Sequence, residues 1–145
     1  MIENNYITEL RTLMVTAMKE KDSRKCSVYK TIIAELQNAL TKEKEPIAPD
    51  NNSCNRFVCK LYNDRKKDAK LAIKNNRQDI ANMNLYEAKI TASILPPFPT
   101  KEAVAEYVKS LGTKNMKVAI DSCKEHFIAY DNDELMEAIK SSING

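Results

Sequence analysis

Residues 22–40, DSRKCSVYKTIIAELQNAL, decide the fold. Val28, Tyr29, Ile32, Ile33, Leu36, Ala39 and Leu40 recur at steps of three and four. That spacing gathers apolar side chains on one face of a helix and leaves the opposite face polar. Asp22 or Ser23 supplies a side-chain oxygen for a free backbone N–H at the start. An amphipathic helix of this length must bury its apolar face against other helices.

The pattern repeats on either side. Residues 5–20 place Tyr6, Leu10, Leu13, Met14, Ala17 and Met18 on one stripe. The break at 19–22 is short, so these first two helices pack antiparallel. Residues 42–52, KEKEPIAPDNN, read as a polar loop punctuated by Pro46 and Pro49. A third helix then carries Phe57, Val58, Leu61, Tyr62, Ala69, Ala72 and Ile73, and Asn75-Asn76 ends or kinks it. A fourth runs to about Leu95 with Ile80, Met83, Glu87, Ile90 and Ile94 on one stripe. Three prolines in Pro96-Pro97-Phe98-Pro99 stop any helix, because proline lacks the N–H and clashes with the preceding turn. Thr100 caps a fifth helix, which Gly112 closes, and a sixth follows from Met116 to Phe127. The run Asp131-Asn132-Asp133-Glu134 has capping-box spacing and opens the last helix. The expected fold is all-α: a bundle of about four helices over 1–95, a Pro-rich junction over 96–99 and a three-helix subdomain over 100–145.

Composition narrows the function. With only Gly112 and Gly145, the chain has no glycine-rich phosphate loop and little capacity for hairpin turns. It holds one histidine and no GxxxxGK, GxGxxG, GxSxG or CxxC. No catalytic residue, cofactor or metal site is therefore expected. A Cys₃His zinc site would need Cys54 and Cys59 at ligand spacing, and they stand five apart. His126 reads as structural or surface, and Met14, Met18, Met83, Met116 and Met136 read as core filler on apolar stripes. No apolar run approaches the roughly 18 residues that span a bilayer, so no membrane partner is expected. The N-terminus lacks the basic start and apolar stretch of a signal peptide, so the expected location is cytoplasmic, with reduced cysteines.

The overall charge of +3 conceals an uneven distribution. Residues 56–90 carry nine basic and four acidic side chains, while residues 91–145 carry six and eight. Arg65, Lys66, Lys67, Lys70, Lys74 and Arg77 crowd one short stretch. Lys66, Lys70, Lys74 and Arg77 follow a helical stripe with Lys67 beside it. Such a stripe either tracks phosphates or is an ordinary solvated face, since Asp64, Asp68 and Asp79 are interleaved with it. Asp64 and Asp68 read as surface ion-pair partners rather than an acid–base couple. Lys19, Lys21, Arg24 and Lys25 form a second basic group at the first interhelix turn, diluted by Glu20 and Asp22.

Three stretches together resemble the YqeY family of GatB/YqeY domain proteins. Residues 17–22 (AMKEKD) running into Ile32-Ile33-Ala34-Glu35-Leu36-Gln37-Asn38 are similar to that family's opening hairpin. Arg65-Lys66-Lys67-Asp68, with Arg77-Gln78-Asp79-Ile80-Ala81 and Glu87, resembles its basic helix and the turn that follows. Ile94-Leu95-Pro96 and Pro99-Thr100-Lys101-Glu102 resemble the junction between its subdomains. Near the end the chain departs: residues 129–133 (AYDND) replace a glycine-containing turn, and Asn75-Asn76 replaces a small or glycine residue. The resemblance implies a helical bundle followed by a three-helix piece. It also implies kinship with the tail of the GatB subunit, which helps present misacylated tRNA to a glutamine-dependent amidotransferase, and hence a family label of carbon–nitrogen ligase activity.

The leading expectation is thus an accessory module that binds tRNA or another structured RNA. Its face would be Arg65, Lys66, Lys67, Lys70, Lys74 and Arg77, with Lys19, Lys21 and Arg24 as second contacts. Recognition would go by backbone and shape, because no aromatic platform is interleaved with the basic run. The alternative is an adaptor without RNA binding, whose acidic C-terminal subdomain docks a protein partner.

Overall fold

A computed structural model describes residues 4–145. Every regular element among them is helical: α1 (Asn5–Lys19), α2 (Ser23–Thr41), α3 (Asn51–Lys74), α4 (Gln78–Ser93), α5 (Lys101–Leu111), α6 (Met116–His126) and α7 (Asn132–Asn144). The helices form two compact units, one ending at Leu95 and the other running from Pro96 to Gly145.

Local chemistry sets the helix ends. Asp22 accepts from the backbone N–H of Lys25 at 3.0 Å, Thr100 from Ala103 at 3.0 Å, and Asp131 from Glu134 at 3.1 Å. Each occupies an otherwise orphaned donor of the first turn. Asp50 does the same for Ser53 at 2.8 Å. That cap starts α3 at Asn51, inside the stretch that composition marks as loop. The α1–α2 turn is a Schellman motif: Asp22 N–H reaches Ala17 C=O at 2.9 Å, Lys21 N–H reaches Met18 C=O at 3.0 Å, and Lys21 is left-handed with φ 60°. The α3–α4 turn repeats it, with Arg77 N–H on Ala72 C=O at 2.8 Å and Asn76 at φ 58°. Asn76 thus takes the conformation that glycine adopts most easily.

In the N-terminal unit, Ile7, Leu10, Leu36, Cys54 and Val58 are almost fully buried. The start of α1 is tied to the start of α3. The Tyr6 hydroxyl donates to Asn55 Oδ1 at 2.7 Å, and Asn4 Nδ2 donates to the Pro49 carbonyl at 3.0 Å. The long connection before α3 is anchored by Ile47 N–H on Ala39 C=O at 3.0 Å. Beyond Tyr62, α3 buries only Ala69 and Ala72, and the antiparallel α4 contributes Ala81 and Ala88. Small side chains on both helices let the two backbones approach closely.

That alanine seam overturns part of the expected core. Met18 and Met83 are 55% and 57% exposed, and Met136, Leu13, Ile73 and Ile80 also face solvent. Their apolar spacing is real, but among the described residues these side chains stay at the surface. In the C-terminal unit, Val104, Val108, Ala119, Cys123, Leu135, Ala138 and Ile139 form the core. His126 stacks on Tyr107 with ring centroids 4.0 Å apart. Gly112 ends α5 with φ 65°.

Candidate nucleic-acid interface

The basic residues sit on the α3–α4 hairpin. At 3.6 residues per turn, Lys66, Lys70 and Lys74 lie within about 80° of one another and Lys67 lies just beyond. Lys67, Lys70 and Lys74 are exposed, whereas Lys66 is half-buried. The exposed aliphatic side chains of Leu71 and Ile73 fall on either side of the lysines.

The two arginines of the run behave differently. Arg65 lies on the edge that faces α4, where its guanidinium comes 3.8 Å from Glu87 and 3.7 Å from Asp68. Arg77 is the residue before α4 and pairs with Asp79 at 3.5 Å. Its hydrogen bond, with help from the Ile80 N–H, holds the Asp79 carboxyl below the usual carboxylate range. Asp64 pairs with Lys60 at 3.1 Å, so the interleaved carboxylates are surface ion-pair partners. Within the run, the exposed cations of α3 are Lys67, Lys70 and Lys74.

At the first turn, Lys19 ends α1 and Lys21 holds the left-handed corner, both exposed. Arg24 points elsewhere: its guanidinium carbon lies 4.0 Å from the centre of the Tyr86 ring on α4. This corrects the expectation that no aromatic platform accompanies the basic residues. Arg24 and Tyr86 lie far apart in sequence, and the packing of α2 against α4 unites them. The same packing brings Arg24 and Arg65 to one cavity of ≈170 Å³. Val28, Ile32, Leu61 and Met83 give it an apolar lining, and Ser27, Thr31, Glu35, Glu87 and Thr91 add polar groups. None of these polar side chains carries a sequence signal, because serine, threonine and glutamate on an exposed helix face are ordinary.

All four cysteines are buried thiols, and none is joined in a disulfide. Burial raises the thiol pKa of Cys54 and of Cys123. Among the described residues, no group of three or more His, Cys, Asp or Glu is arranged to hold a metal ion. No helix among them is long and apolar enough to cross a membrane.

Comparison with known proteins adds two findings. The YqeY family model, described as Yqey-like protein, matches residues 7–144. The chain is also similar to a Candida glabrata protein named altered inheritance of mitochondria protein 41, mitochondrial. The two are 26% identical over 147 residues, which cover 97% of this chain and 79% of that protein.

Proposed function

Since the chain belongs to the YqeY family, we propose that it is an accessory module that binds tRNA or another structured RNA through the lysine face of α3. The observation that carries this reading is the run of exposed Lys67, Lys70 and Lys74 on one helix, continued by half-buried Lys66. Cations spaced by one helical turn neutralise successive backbone phosphates, and each contact releases a counterion. Lys19, Lys21 and Arg77 extend the cationic surface at the ends of the hairpins. The 96–99 junction divides the labour: the N-terminal unit meets RNA and the acidic C-terminal unit meets a protein. The kinship with an amidotransferase tail suggests that the bound RNA is destined for another enzyme's chemistry. The cytoplasm is the compartment this reading assigns; the relative's own name assigns that protein to mitochondria.

The test is Lys67→Glu/Lys70→Glu/Lys74→Glu titrated with tRNA across a salt series. Substitutions at exposed positions alter stability by about 0.5 kcal/mol each or less, so the melt stays near wild type. Binding falls steeply, and the log–log salt slope flattens by roughly 2 to 3. Equal binding by the triple variant moves the RNA face elsewhere. Absence of salt-sensitive tRNA binding by the wild type sinks the reading. The adaptor reading would then take over, favoured by the exposed Leu71 and Ile73 and by a C-terminal cleft of ≈370 Å³ in which Glu134 and Glu137 flank Phe98 and Leu135.

A further inference from the structure

The cavity beneath Arg24 has features that a phosphate-tracking face does not need. Its stacking pair, Arg24 on Tyr86, presents two flat π surfaces at 4.0 Å. Arg24 makes no ion pair among the described residues, so the ring is its only partner there. Glu35 lines the same cavity and makes neither hydrogen bond nor ion pair among the described residues. Arg65 and Glu87 approach only to 3.8 Å, which is too long for a hydrogen bond and leaves both able to accept a guest.

The lining excludes simpler ligands. A bare phosphate would meet Glu35 and Glu87, and a metal cation would meet Arg24 and Arg65. A planar, largely uncharged group with a polar edge suits a cavity whose charges balance and whose remaining wall mixes aliphatic side chains with hydroxyls. At ≈170 Å³ the space is well below the roughly 300 Å³ at which drug-sized sites begin. That scale fits one heteroaromatic ring system rather than a folded ligand.

We propose that this cavity receives a single unpaired nucleobase of the bound RNA, stacked on Tyr86, with Glu35 accepting from the base's exocyclic amino group. The inference rests on the RNA reading, and it adds selection of an unstacked nucleotide to recognition by backbone charge. The base enters over the Tyr86 ring, and the Arg24 guanidinium either caps its other face or swings to the flanking phosphate. Proteins read RNA chiefly at such splayed-out bases, by stacking on aromatic rings and guanidinium planes. A carboxylate accepts only, so adenine, cytosine and guanine reach Glu35 through an exocyclic amino group, whereas uracil offers only its single ring N3–H beside two carbonyls that the carboxylate repels.

The experiment uses the full chain and three hairpin RNAs with one stem: unbulged, with a single adenosine bulge, and with a single uridine bulge. Dissociation constants come from fluorescence anisotropy, and 2-aminopurine in the bulge reports stacking. The expected result is tighter binding of the adenosine-bulged stem than of the unbulged one by about tenfold or more, the size of one base–aromatic stack. Tyr86→Leu erases that preference, Tyr86→Phe retains it, and Glu35→Gln levels adenosine with uridine. Equal wild-type binding of bulged and unbulged stems overturns the inference and leaves the lysine face standing. A preference that survives in folded Tyr86→Leu also overturns it. If none of the three RNAs binds, the RNA reading itself fails.

Discussion

Replacing Gln37 by methionine should stabilise the protein. Gln37 lies on α2 and is only 8% exposed, and neither its side-chain oxygen nor its nitrogen has a hydrogen-bond partner among the described residues. A buried amide left unpaired costs about 1–3 kcal/mol on mutational scales. Methionine matches its length, fills the space with apolar atoms and has similar helix propensity. Against the loss of good packing where methionine departs from the amide's shape, the expected gain is about 1–2 kcal/mol. If the N-terminal unit unfolds on its own, each kcal/mol moves the melting temperature of a domain that size by about 4–8 °C. Urea denaturation should show a higher midpoint with an unchanged slope. Thr91→Val is the control of opposite sign. Thr91 is 2% exposed, but its hydroxyl donates to the Glu87 carbonyl at 2.7 Å, so its loss should cost about 0.5–1 kcal/mol. If Gln37→Met destabilises by about 1 kcal/mol or more, the amide is satisfied in solution and the reasoning is wrong.

Two further outcomes follow from the fold. Burial, reinforced by Cys54, Glu9 and Cys59, pushes the Tyr6 phenol far above its ordinary range. A raised folded pKa contributes stability that is complete below the unfolded value, near 10, and is lost as pH climbs above it; Cys54 and Cys123 add to the loss from about pH 9. Tyr6→Phe, which forfeits the bond to Asn55, should be weaker by about 1 kcal/mol at pH 7 yet decline less steeply in urea midpoints from pH 9 to 11; parallel profiles would refute this. Gly112→Ala should destabilise the C-terminal unit by about 1 kcal/mol, with Gly112→Asn losing less, as judged by thermal melts. A Cβ there meets nothing within 4 Å, so the loss comes from the left-handed backbone alone, and equal losses for both variants would contradict that cause.

The sequence by itself determined the helices and their ends. Asp22, Thr100 and Asp131 cap, Asn75-Asn76 and Gly112 terminate, and three prolines interrupt, all through interactions within a few residues of the chain. It also displayed the lysine stripe, because residues one turn apart share a face in any α-helix. Only the tertiary structure decided which faces meet water. Met18, Met83 and Ile73 have core spacing but lie largely exposed, and in the α3–α4 pair the buried seam is made of Ala69, Ala72, Ala81 and Ala88 instead. Only the tertiary structure, likewise, drew Arg65 towards Glu87 and laid Arg24 on Tyr86, two residues on different helices with no local signal linking them. The physical reason is one of range. Capping and helical periodicity are settled by hydrogen bonds between near neighbours in the chain. Burial and stacking depend on which distant segment arrives opposite, and that is settled only when the helices pack.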